Sequence, residues 1–275
     1  MTTAHIYMDD FVLYEAQSSR TLGDALGYVA AIVDDEADSA ITRYIDALAA
    51  TLQRQFRLST QPYFHAKDII AGRDGWQALS VFERAAVIHD VIHEAVGAGA
   101  LLVYELVHEA DEGFRRVREQ LQTEVRERAL AATPARFGIS GDAKLPVASV
   151  VRGVALAVAR QQAPGHIVLV EDRGVPRDSK RASARIKTLR RAGIVVTPHF
   201  DQPARRWPGL QLVDFCAAVI RLAHASAWAL EAVPRDELAA RTSPFGAFGD
   251  VFAQHGTFEL LAKDKRTFRC VDLAA

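Results

Sequence analysis

The chain has 275 residues, of which 49% are hydrophobic and 24% charged, so it can bury a sizeable core and is no disordered tail. Its formal net charge of −1 excludes a whole-surface electrostatic grip on nucleic acid but leaves room for a local basic patch. Its two cysteines, Cys216 and Cys270, exclude a disulfide framework and a zinc knuckle.

In chain order, Ala4–Leu13 predicts a strand interrupted by Asp9 and Asp10, and a second strand follows over about 26–33. Residues 38–56 have helical spacing through Ile41, Ile45, Leu48 and Leu52. The segment Phe64-His65-Ala66-Lys67-Asp68 reads as a loop or short strand. Residues 80–95 read as a helix with Val81, Ala85, Ile88 and Ile92 on one face, and residues 100–107 as a strand after Gly97 and Gly99. A charged helix is predicted over 111–132, a loop over 133–146, and a helix over 148–162.

The second half reads most clearly. His166–Val170 is nearly all β-branched, as in a strand covered on both faces, and it ends in Glu171-Asp172. A basic helix (178–191, with Asp178 as its cap) stops at Gly193, and a strand (194–200) ends in Asp201. A long apolar helix then begins near Pro208. Strand, helix and strand in such close succession imply parallel pairing. The tail from Pro234 is expected to pack on the outside. The N-terminus has no basic and apolar leader, and no apolar run reaches the ~18 residues that span a bilayer. These features predict a cytoplasmic protein with no membrane partner, and homo-oligomerisation is left open.

Four acidic sites stand where the elements present side chains. Asp9 and Asp10 lie in the first strand, Glu171 and Asp172 at a strand end, Asp201 at another, and Asp214 in the first turns of the last helix. A hard cation takes two to four such oxygens and keeps its waters, and one or two ions can promote in-line phosphodiester cleavage. A mid-strand Asp in an apolar run costs several kcal/mol unless it is paired or metal-bound, which argues against a merely structural Asp9. Asp201 reads equally well as a turn former.

From Arg173 to Arg191 there are eight basic residues: Arg173, Arg177, Lys180, Arg181, Arg185, Lys187, Arg190 and Arg191. With Arg205, Arg206 and Trp207 they are read as a phosphate-tracking and stacking surface. His89 and His93 have zincin spacing, but Asp90 stands where the general base should be Glu, so they are read as a packing feature. His65 is a candidate proton shuttle or phosphate ligand.

Four segments in this order resemble the DUF3800 family, grouped with the ribonuclease H-like fold. They are Tyr7-Met8-Asp9-Asp10-Phe11, Phe64-His65-Ala66-Lys67-Asp68, Val168-Leu169-Val170-Glu171-Asp172 and Gly209-Leu210-Gln211-Leu212-Val213-Asp214-Phe215. The resemblance implies an α/β protein with a ribonuclease H-like mixed sheet flanked by helices. The domain would cover 1–232, with a helical insertion at about 108–163 and a C-terminal appendage at 233–275. It also implies Asp9, Asp172 and Asp214 as metal ligands, with Asp10 in the place of the family's glutamate; together with His65, which reads equally well as a turn histidine capping Asp68, these are the candidate catalytic residues. Asp9, Asp172 and Asp214, with Asp201, would hold Mg²⁺ or Mn²⁺. Arg173, Arg177, Lys180, Arg181, Arg185, Lys187, Arg205 and Arg206 would hold DNA or RNA. Asp10 and Phe11 depart from the family's Glu and Ser. The expected function is a metal-dependent nuclease of the prokaryotic kind, with a catalytically degenerate binding scaffold as the alternative and a phosphomonoester hydrolase third.

Overall fold

The computed structural model describes residues 2–13, 25–56, 62–108, 144–173, 175, 179–232, 252 and 268–269. The predicted helix at 111–132, Arg177, the Asp178 cap and Cys270 lie outside them. The strands are β1 (Thr3–Leu13), β2 (Ala25–Asp34), β3 (Leu101–His108), β4 (His166–Asp172), β5 (Val195–Gln202) and β6 (Phe268–Arg269). The helices are α1 (Asp35–Gln55), α2 (Ala66–Ala71), α3 (Val81–Gly97), α4 (Lys144–Gln161), α5 (Ser179–Arg191) and α6 (Pro208–Ala232).

They form one mixed sheet in the order β5-β4-β1-β2-β3-β6. The pairs β1–β2 and β2–β3 are antiparallel, whereas β1–β4, β4–β5 and β3–β6 are parallel. This is the expected α/β architecture, a mixed sheet with helices on both faces. Side chains alternate along each strand and sort the core into two layers. Tyr7, Val29, Ala31, Leu102 and Val170 pack with α1, α2, α3 and α6. Ile6, Met8, Tyr28, Ala30 and Leu169 pack with α4 and α5.

Local chemistry explains most boundaries. Asp34 ends β2 and caps α1, its side chain accepting from the Ala37 N–H at 2.8 Å. α1 then buries Ile41, Ile45, Ala49 and Leu52, one stripe at helical spacing. Ser80 and Glu83 form a capping box at the start of α3. α5 ends at Gly193, whose φ of +81° glycine adopts without strain.

Three sequence expectations are corrected. The Phe64–Asp68 segment is neither loop nor strand throughout, because Ala66 opens the short helix α2. The loop expected to reach Pro146 gives way to α4 at Lys144, since a proline in a first helical turn forfeits no intrahelical bond. α4 also lies flat on the sheet, burying Ala148, Val151, Ala155 and Ala159, so it is a layer of the fold where an inserted helix was expected. Beyond α6, Phe252 is buried in the first core layer, and β6 extends the sheet at β3.

Candidate metal and nucleic-acid site

Asp9 sits within β1, paired with Val29 of β2, and is 7% exposed. Met8 pairs with Glu171 in the parallel β1–β4 ladder, so the next position along both strands holds Asp9 and Asp172. Both lie in phase with Tyr7 and Val170, on the α6 face of the sheet. Asp214 reaches this place from α6. Proline opens that helix without an N–H to waste, and Gly209 lets it approach β1 closely. A Cβ at 209 would stand 2.2 Å from ring carbons of Tyr7. The Tyr7 hydroxyl donates to Asp38 Oδ1 at 2.7 Å, so the ring is held. Asp214 Oδ2 accepts the Ala66 N–H at 2.7 Å, which ties α6 to the start of α2.

Asp172 and Asp214 both act on Asp9. Asp9 is held well above the usual carboxylate range, first by burial, then by the negative charges of Asp214, Asp172 and Asp10. The Asp10 N–H, donating to Asp9 Oδ1 at 2.8 Å, offsets only part of this. Asp10 itself is one residue out of phase, and alternation turns its side chain toward the α4 face. Among the described residues no three or more His, Cys, Asp or Glu side chains gather tightly enough to hold a metal ion by themselves. Mg²⁺ does not demand such a cage, because one or two carboxylates, waters and substrate phosphates complete its shell.

Glu171 has the opposite fate to its neighbour Asp172. It points to the α4 face and forms a buried two-bond ion pair with Arg152, with Nη2 to Oε2 at 2.9 Å. β5 carries a bulge opposite Glu171: Val170 pairs with His199, and Asp172 with Gln202. Asp201 lies in that bulge, at φ +53° and exposed.

Beside the acids lies Tyr63-Phe64-His65. His65 Nδ1 is 2.9 Å from Asp68 Oδ2, and Asp68 Oδ1 is 3.1 Å from Arg73. The Tyr63 and His65 rings are parallel, 7° apart in plane with centroids at 5.8 Å. The guanidinium of Arg205 stands 6.0 Å from the Tyr63 ring centre. Tyr63 is pushed up to about 12 by burial and by the charges of Asp214, Asp172, Asp9 and Asp68, so its hydroxyl stays protonated beside the acids.

The basic helix is elsewhere. α5 buries Ile186 and Leu189 with α4, on the face opposite Asp9 and Asp214. It is the crossover between parallel β4 and β5, so it runs back from the carboxylate end, and Arg190 and Arg191 lie roughly 20 Å from its start. Arg190 donates to the Val196 carbonyl, Lys187 is exposed, and the Arg185 guanidinium lies over Gly153 of α4. The helix backbone places Lys180 and Arg181 at the carboxylate end, but their side chains lie outside the description. Arg173, just past β4, and Arg205 and Arg206, just before α6, are exposed cations.

Sequence reading missed Tyr63 and Arg152. Arg152 lies in the apolar middle of its helix and has the same signature as Asp9, a charge where none should be buried. His89 and His93 stack on each other along α3, with ring centroids at 5.8 Å.

No family model and no curated protein matches the chain. Among solved structures it is similar to one described as the PCNA:RNase HII complex from Archaeoglobus fulgidus, at 9% identity and TM-score 0.36, over 94% of this chain and 91% of that one. A likeness at that score decides nothing about activity. No helix among the described residues is long and apolar enough to cross a membrane.

Proposed function

We propose that the chain is a ribonuclease H-like protein of the DUF3800 kind and a divalent-metal-dependent nuclease. What supports the proposal is that Asp9 and Asp172 stand at adjacent register positions of β1 and β4, on the face that α6 covers, and that the charges of Asp172 and Asp214 both act on Asp9. A buried carboxylate beside two further negative charges is a poor way to stabilise a core and a good way to bind a hard cation. The charges raising Asp9 are all negative, and the donors are all oxygens, so the residues fit Mg²⁺ or Mn²⁺. Asp9, Asp172 and Asp214 would hold one or two such ions. A bound ion would activate water and neutralise charge on a phosphodiester.

The remaining side chains have separable tasks. His65, oriented through Nδ1 by Asp68, offers Nε2 to take or give a proton. Arg205, Arg206 and Arg173 attract the phosphate backbone. The loose spacing of the acids favours one alternative, a scaffold that binds nucleic acid without cutting it. A Mn²⁺-supplemented cleavage screen over DNA, RNA and hybrid substrates separates the two. Cleavage that disappears in Asp9→Asn and Asp214→Asn supports the nuclease. Cleavage undiminished in both variants removes the mechanism, and binding without cleavage selects the scaffold.

A further inference from the structure

The side chains around the acids also constrain the substrate, and this step rests on the nuclease reading. The later part of the basic run, Arg185 to Arg191, is carried by a helix packed on the other face of the sheet, where it cannot grip a duplex at the acids. On the acid face stand Tyr63, half-buried, with His65 parallel to it and the exposed Arg205 over its ring. The mount is rigid. The Tyr63 carbonyl accepts from Trp76 Nε1 at 3.2 Å, Phe64 is buried edge-on against Trp76 at 5.4 Å, and the Ala66 N–H holds Asp214. A fixed aromatic ring, a second ring beside it and one mobile cation make up a stacking platform for an unpaired base. Arg205 has a flexible stem and can move onto the base or its phosphate.

We infer that Tyr63, flanked by His65 and Arg205, is the ring on which the base next to the cleaved phosphate stacks, and that the substrate is single-stranded nucleic acid. A base paired inside a duplex hides its faces and cannot lie on Tyr63. The ring matters here, and the hydroxyl does not, so Tyr63→Leu and Tyr63→Phe must part company.

The test uses the full chain with labelled oligothymidylate, oligouridylate and a blunt DNA duplex. Anisotropy is read in EDTA and in Ca²⁺, followed by KM and kcat in Mn²⁺. Single strands are expected to bind more tightly than the duplex. Tyr63→Leu is expected to weaken them roughly 5- to 150-fold, the loss of one base–aromatic stack, and to raise KM more than it lowers kcat. Tyr63→Phe is expected to restore most of that loss, and Arg205→Ala to weaken binding in a salt-dependent way. Equal or tighter duplex binding overturns the inference, as does a Tyr63→Phe loss as large as that of Tyr63→Leu. Cleavage that continues with an unchanged KM in Tyr63→Leu overturns this inference alone. Failure of the wild-type chain to bind or cut any of the three overturns this inference, and the nuclease reading falls with it if a DNA–RNA hybrid is also left intact.

Discussion

The buried ion pair between Arg152 and Glu171 offers a sharp energetic test of the fold around the site. The two side chains are 2% and 1% exposed and share two hydrogen bonds. Arg152→Met leaves a carboxylate with no partner in the layer between α4 and the sheet, a change that costs about 3–5 kcal/mol. For a chain of this size each kcal/mol moves Tm by about 2–4 °C, so the single variant should melt roughly 6–20 °C below wild type. The double variant Arg152→Met/Glu171→Leu removes both charges and fills the space with apolar groups. It should recover most of the loss, because the desolvation cost of the two ions disappears along with their attraction. Calorimetry or near-ultraviolet circular dichroism on wild type, both single variants and the double variant closes the cycle. A double variant as unstable as Arg152→Met, or a single-variant loss under about 1 kcal/mol, would refute a desolvated pair at this position.

Five further outcomes are expected. Because the Asp9 carboxyl is raised, its share of stability in the metal-free protein is greatest at acid pH and is lost as pH climbs toward the raised value; the Tm advantage of Asp9→Asn should therefore grow as pH rises above the ordinary carboxylate range, and a constant difference would contradict the coupling. At Mg²⁺ or Mn²⁺ near 100 times its dissociation constant, wild type should gain about 2.7 kcal/mol, or roughly 5–10 °C in Tm, while Asp9→Asn and Asp214→Asn gain little. Gly209→Ala drives a methyl into the Tyr7 ring, so it should cost about 1–3 kcal/mol and weaken the metal-induced gain by lifting α6 and Asp214 from β1; an unchanged Tm and metal gain would show that the close approach is dispensable. Arg191→Glu, at the far end of α5, should leave cleavage unchanged, whereas Arg206→Glu should reduce it, as relative rates at low salt will show. Burial and Asp214 push the Cys216 thiol up to about 12, so peptide mapping after alkylation at about pH 8 should find it unmodified until the chain is unfolded.

How far the fold was legible depended on whether local patterning and tertiary context agreed. The β-branched run ending in Glu171-Asp172, the stripe on α1 and the stop at Gly193 each follow from one period or one residue, and each is found where expected. α2 was missed because six residues carry too little period to distinguish a helix from a loop. The start of α4 was missed because Pro146 looks like a breaker when the position of the helix end is unknown. Asp9 and Asp214 were legible as charges set in apolar runs. Tyr63 was not, because a tyrosine before a phenylalanine has no such signature. Only the docking of α2 on Asp214 brings it beside the acids.

The basic run shows why a charge pattern does not by itself locate a surface. Read along the chain, Arg173–Arg191 follows directly on Asp172, and proximity in sequence suggested proximity in space. A parallel crossover separates the two, because it must carry the chain back along a face of the sheet before the next strand can start. Which face it takes is set by where its apolar stripe fits, and Ile186 and Leu189 fit against α4. The same single-residue alternation divides Glu171 from Asp172. Glu171 goes to the α4 layer, where Arg152 neutralises it. Asp172 goes to the α6 layer, where its charge acts with that of Asp214 on Asp9. A one-residue slip of β4 would exchange the two and put Glu171, in place of Asp172, among those acids. The buried ion pair opposes that slip, since breaking it strands both charges. The Arg152–Glu171 pair therefore favours the register that puts Asp172 on the α6 face.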